Sequence, residues 1–143
     1  MIVWPEITSS QNPSINDSQK LREEYETAVK QVGSNNPAGL LKLYEIAFEG
    51  RSAEISEVAR DKLLHFLYSR TELWIRVFSK IDLEKFKSYL KAGGLAILEL
   101  PKGVSSEEQY KEEVGKRLES IRGNKKEMEL IQYILVSYGR YRR

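Results

Sequence analysis

The chain contains a single histidine, His65, and Asp61 stands one helical turn before it. On a helix, a carboxylate at that spacing can hydrogen-bond an imidazole and orient it, as a general base requires. Hydrolysis with His65 as base is therefore one reading of the sequence. No nucleophile motif accompanies the pair, and a histidine at the edge of an amphipathic helix more commonly serves structure.

Acidic residues offer little more. Glu107, Glu108, Glu112 and Glu113 fall at i,i+4 and i,i+5 spacings. A di-metal bundle needs Glu-x-x-His on two helices, which one histidine cannot supply. The absence of cysteine excludes disulfides, thiol nucleophiles and zinc ribbons. Gly33, Gly39 and Gly50 lack the spacing and the Lys-Ser/Thr of a phosphate loop. Neither a metal nor a cofactor is expected. Carboxylates at a helix start are also favourable to the helix dipole, so a solvated face accounts for them.

Basic residues concentrate in the last third. Lys116, Arg117, Arg122, Lys125 and Lys126 bracket one predicted interhelical turn, and Arg140, Tyr141, Arg142 and Arg143 form a basic tail. Cations with aromatic neighbours can follow a phosphate backbone and stack on bases, so nucleic-acid binding is an alternative function. Against it stand Glu119, Glu127 and Glu129 among those cations, and a net charge of only +2 from 23 basic and 21 acidic residues.

The elements that position these residues are helices. A chain of 143 residues with 41% hydrophobic and 31% charged residues suits one folded domain. The first predicted helix starts near Asp17 or Ser18, carries Leu21, Tyr25, Ala28, Val29 and Val32, and stops at Gly33. The second opens at Asn36-Pro37 and spreads Leu40, Leu41, Leu43, Tyr44, Ala47 and Phe48 over nearly half its circumference. A third runs from Ser52 to Ser69 with Ile55, Val58, Ala59, Leu63, Phe66 and Leu67 inward. Thr71 caps a fourth, and Asp82 starts a fifth that ends at Gly93-Gly94. The run from Leu95 to Leu100 has no partner strand and is expected to be a helical turn or irregular. Ser105 with Glu108 forms a capping box for the sixth helix, which ends at Gly123, and Asn124 caps a seventh that ends at Gly139.

These features predict an all-α fold, with about seven helices in stacked antiparallel hairpins, as a short HEAT-like α-solenoid or an irregular helical bundle. Residues 1–16 form an N-terminal tail partly docked through Ile2, Val3 and Trp4, residues 17–139 a single helical domain, and 140–143 the basic tail. Broad apolar stripes mark the second, third, fourth and seventh helices as inner, and narrow ones mark the first and sixth as outer. Truncating Phe66 or Leu135 should then cost more than truncating Leu118.

With chemistry sparse, the leading function is non-enzymatic protein binding by an adaptor, inhibitor or immunity-type protein. Ile46, Tyr68 and Ile75 leave the apolar arcs of their helices and would form an apolar centre, with Glu45, Glu49, Arg70 and Arg76 as its polar rim. The expected partner is another protein, with nucleic acid as the alternative. No apolar run approaches the roughly 20 residues needed to span a bilayer, and Met1–Glu6 lacks the pattern of a signal peptide. No membrane partner and a cytoplasmic location are expected.

Overall fold

An asparagine makes the first interhelical turn among the described residues. Helix α1 (Pro13–Gly33) and helix α2 (Pro37–Glu49) are joined by Ser34, Asn35 and Asn36. Asn35 adopts φ 61°, a left-handed conformation that asparagine tolerates better than most residues. Its N–H donates to Val32 O at 2.9 Å and that of Asn36 to Gln31 O at 2.8 Å, the paired bonds of a Schellman stop. The stop therefore lies two residues beyond Gly33. Asn36 then caps α2, its Oδ1 accepting the Ala38 N–H at 3.0 Å.

In this computed structural model, residues 13–49, 52–91 and 96–139 are described, with the backbone alone at 13–17 and 49. The expected docking of Ile2, Val3 and Trp4 and the basic tail at 140–143 lie outside the described residues. Helix α1 begins at Pro13, so residues 13–16 are helical rather than tail. Proline suits a first helical position because its φ is already set and its missing N–H is not needed there.

Five further helices complete the described residues: α3 (Ala53–Ser69), α4 (Thr71–Phe78), α5 (Leu83–Tyr89), α6 (Glu107–Glu119) and α7 (Lys125–Ser137). The fold is all-α. The chain divides into two compact units, Met1–Arg60 and Asp61–Arg143, and the division falls within α3.

The N-terminal unit buries Leu21, Tyr25, Ala28 and Val32 of α1 against Leu40, Leu43 and Ile46 of α2, with Ile55 and Ala59 from the start of α3. Gly39 sets the rotation of α2. A Cβ there would fall 2.7 Å from Val32 Cγ2 and closer still to Ala28 O, so only glycine permits this approach. With Gly39 facing α1, Ile46 turns into the core and is 1% exposed. Leu41 and Phe48, which the apolar spacing assigned to the inner arc, turn outward instead.

The C-terminal unit is built around aromatic rings. Trp74 and Phe78 lie 4.6 Å apart between centroids, and Phe78 stacks on Phe86 at 5.3 Å. Helix α4 packs on both α6 and α7. It therefore buries Thr71, Trp74, Ile75, Val77 and Phe78, more than one stripe. Ile75 faces helix neighbours, not solvent. Leu118 of α6 is as deeply buried as Leu135 of α7, whereas Phe66 is only half-buried beside Lys62. The narrow stripe of α6 measured its width and not its depth of burial.

Three predicted ends shift. Thr71 does not cap α4 but sits inside it, its hydroxyl donating to Leu67 O at 2.7 Å and Tyr68 O at 3.1 Å. Ser106 rather than Ser105 caps α6, accepting the Gln109 N–H at 3.1 Å, while Gln109 Oε1 accepts from the Ser105 N–H and hydroxyl. Helix α6 stops at Glu119, before Gly123, as the Ser120 hydroxyl donates back to Arg117 O at 2.8 Å.

Gly39→Ala is expected to destabilise the protein by about 1–3 kcal/mol through overpacking, despite the better helix propensity of alanine. Urea denaturation followed by circular dichroism checks this. Leu118→Ala and Leu135→Ala should each cost about 2–5 kcal/mol, and Phe66→Ala should cost less than either.

Candidate functional site

Asp61 and His65 lie one turn apart on α3, and both reach the segment at 96–100. Asp61 Oδ1 accepts the N–H of Leu98 at 2.7 Å and that of Glu99 at 3.4 Å. His65 Nε2 lies 2.6 Å from Glu99 O and 3.4 Å from Asp61 Oδ2. A carbonyl oxygen only accepts, so Nε2 carries the proton in this arrangement. The nitrogen nearest the carboxylate has no lone pair to offer a substrate there, and the pair acts as a clasp on the main chain.

Burial is the largest influence on the Asp61 carboxyl and pushes its pKa up. The His65 hydrogen bond, the Leu98 N–H, the His65 charge and the Glu99 N–H together outweigh it, so the group sits below its ordinary value. Past the clasp, Pro101 is buried, and a turn closes from Val104 N–H to Pro101 O at 3.0 Å, with Gly103 at φ 88°. Leu98 is left 65% exposed.

Two residues of the predicted apolar centre, Ile46 and Ile75, are buried core residues. Tyr68 is half-buried, with the Arg117 guanidinium carbon 3.9 Å from its ring centre and the same side chain donating to Tyr68 O. Arg76 Nη1 pairs with Glu127 Oε2 at 2.8 Å. Glu127 in turn closes a capping box with Asn124, whose N–H donates to Glu127 Oε1 at 2.7 Å. The Arg76 hydrogen bond, then the Asn124 N–H, hold the Glu127 carboxyl below its usual value.

Glu45 is exposed and pairs with Lys42 at 3.5 Å. Arg70 stands before α4, its N–H on Phe66 O at 2.7 Å and its carbonyl accepting from Trp74 N at 2.9 Å. Glu49 ends α2, and its side chain lies outside the described residues.

The basic cluster is partly spent on local contacts. Lys116 pairs with Glu112 at 3.4 Å, Arg117 covers Tyr68, and Arg122 donates to Glu119 O at 2.9 Å. Lys125 and Lys126 are exposed, while Arg140, Tyr141, Arg142 and Arg143 are not among the described residues. On α6, Glu107 pairs with Lys111 at 3.4 Å. Among the described residues no group of three or more histidine or acidic side chains could hold a metal ion, and no helix is long and apolar enough to cross a membrane.

Residues that sequence reasoning missed are the exposed apolar ones. Beside Leu98 these are Leu41 and Phe48 on α2, and Met128 and Val136 on α7. The spacing of Met128 and Val136, two turns apart, was a visible signal. Leu98 had none, because an irregular run has no period from which to read a face. The chain matches no protein-family model, no curated protein and no solved structure.

A carboxyl held below its ordinary value stabilises the fold above that value, and the contribution is lost as pH falls through the lowered one. For Asp61 that window lies below its ordinary 3.8. Thermal melts through that acid range should therefore show a smaller loss of stability for Asp61→Asn than for the wild type.

Proposed function

We propose that the protein is a non-enzymatic protein-binding module of the adaptor, inhibitor or immunity type, and that Leu98 belongs to its contact surface. The observation that carries this reading is the contrast at the clasp. The residues best suited to acid–base chemistry are spent on the main chain of Leu98 and Glu99, and the side chain they fix is an exposed leucine.

Scattered surface leucines are ordinary. A leucine on a pinned loop differs because less entropy remains to be lost on binding. Met128 and Val136 on the outward side of α7 supply further exposed apolar area in the same unit. Other readings have less support. Nucleic-acid binding would lean on cations of which Arg117 and Arg122 already serve carbonyls. Hydrolysis would have to use His65 Nδ1 as base, since Nε2 is held on Glu99 O, and no nucleophile motif accompanies it in the sequence.

Quantitative affinity capture from an extract of the native organism, comparing wild type with Leu98→Asp, tests the proposal. A protein enriched by the wild type should be lost by the variant. Stability should change by no more than about 0.5 kcal/mol, as for a surface substitution. Equal recovery of every captured protein by both forms would refute the assignment of Leu98.

A further inference from the structure

We propose that residues 96–100 form a strap latched onto α3 by Asp61 and His65, and that this strap opens while the helices of the C-terminal unit stay folded. The inference stands apart from the binding reading, since it concerns how the strap is held and not what meets it.

The bonding pattern carries it. Buried or ordered main chain is normally tied down by other main chain. Among the described residues, no main-chain hydrogen bond joins 96–100 to a helix. Its ties are the Leu98 and Glu99 N–H groups on Asp61 Oδ1 and the Glu99 carbonyl on His65 Nε2. One carboxylate and one imidazole make these polar ties.

The contacts that fix the neighbouring helices do not pass through the strap. Helix α6 reaches α3 through the Tyr110 hydroxyl, which donates to Leu64 O at 2.6 Å, and through the Tyr68–Tyr110 ring pair at 6.2 Å. Helix α4 reaches it through the Trp74 Nε1 hydrogen on Leu63 O at 2.9 Å. Pro101 and Val104 are buried, so the turn at Pro101–Val104 is the fixed end about which 96–100 can lift. Leu98, at 65% exposure, adds little apolar hold, and Ile97 and Leu100 are only half-buried. A segment with few buried contacts and side-chain ties is of the kind that opens sub-globally. Opening would release Asp61 and His65 together.

Residue-resolved hydrogen exchange on the full chain at neutral pH tests the latch. In the wild type, the Leu98 and Glu99 amides should exchange more slowly than in a free peptide. Asp61→Ala should accelerate both by at least about tenfold, the size expected for losing a hydrogen bond to a charged acceptor. The amides of Leu118 on α6 and Ile134 on α7 should keep their protection. Asp61→Asn, which retains a carbonyl acceptor, should fall between the two, and His65→Gln, which retains a donor, should disturb the strap less than His65→Ala. Leu98 and Glu99 amides that exchange at free-peptide rates in the wild type would overturn the latch. So would an Asp61→Ala variant that deprotects Leu118 and Ile134 as strongly as Leu98, because the strap would then be part of the global unit. Loss of a binding partner with the latch intact bears only on the binding reading, and the reverse holds equally.

Discussion

The backbone carbonyls at the end of α3 are the constraint on which the C-terminal unit depends. Leu63 O accepts from the Trp74 indole and Leu64 O from the Tyr110 hydroxyl. Leu67 O accepts from Thr71, and Tyr68 O from Thr71 and Arg117. Leu67 O and Tyr68 O are among the last carbonyls of α3, which have no partner within the helix, while Leu63 O and Leu64 O lie a turn earlier and take an additional donor. Side chains from α4 and α6 reach all four. Indole and phenol suit this role because each buries a large apolar body and ends in a donor. Burial pushes the Tyr110 phenol well above its ordinary pKa, so it stays a donor across the range in which proteins fold.

Polar side chains elsewhere follow the same logic, closing the ends of helices before doing anything else. Asp82 caps α5 and accepts the Glu84 N–H at 3.0 Å. Asn124 and Glu127 satisfy each other's main chain at the start of α7, and Arg76 on α4 neutralises the buried Glu127. An ion pair placed this way ties a helix start to its neighbour. Breaking one side would strand a charge with little access to water. The surface pairs of α6, by contrast, lie in high dielectric and contribute little.

This economy shapes the functional reading. Caps and clasps absorb Asp61, Asp82, Glu127, the histidine and several arginines, and Leu98 on a pinned loop is one of the apolar side chains left exposed. The clasp also couples the two roles of one segment, since the carboxylate that fixes the main chain at 98–99 fixes where Leu98 points.

Helix number and order among the described residues, and the caps at Asn36, Asp82 and Asn124, could all be read from the sequence. Each depends on neighbours within a few residues, where periodicity and capping chemistry act. Rotation and depth could not be read in this way. Helix α2 carries apolar residues over nearly half its circumference and Ile46 outside that arc, so its pattern placed Leu41 inward and Ile46 outward. The approach of Gly39 to Ala28 and Val32 reverses both. Helix α4 packs against several helices, so no single stripe described it, and Ile75 looked misplaced. Asp61 and His65 were legible as a pair but not as a clasp, because Leu98 and Glu99 stand 37 and 38 residues beyond Asp61. Local sequence determines where helices begin and end, but tertiary packing alone decides which side of a helix is inside and what its polar groups hold, because both depend on partners distant in the chain.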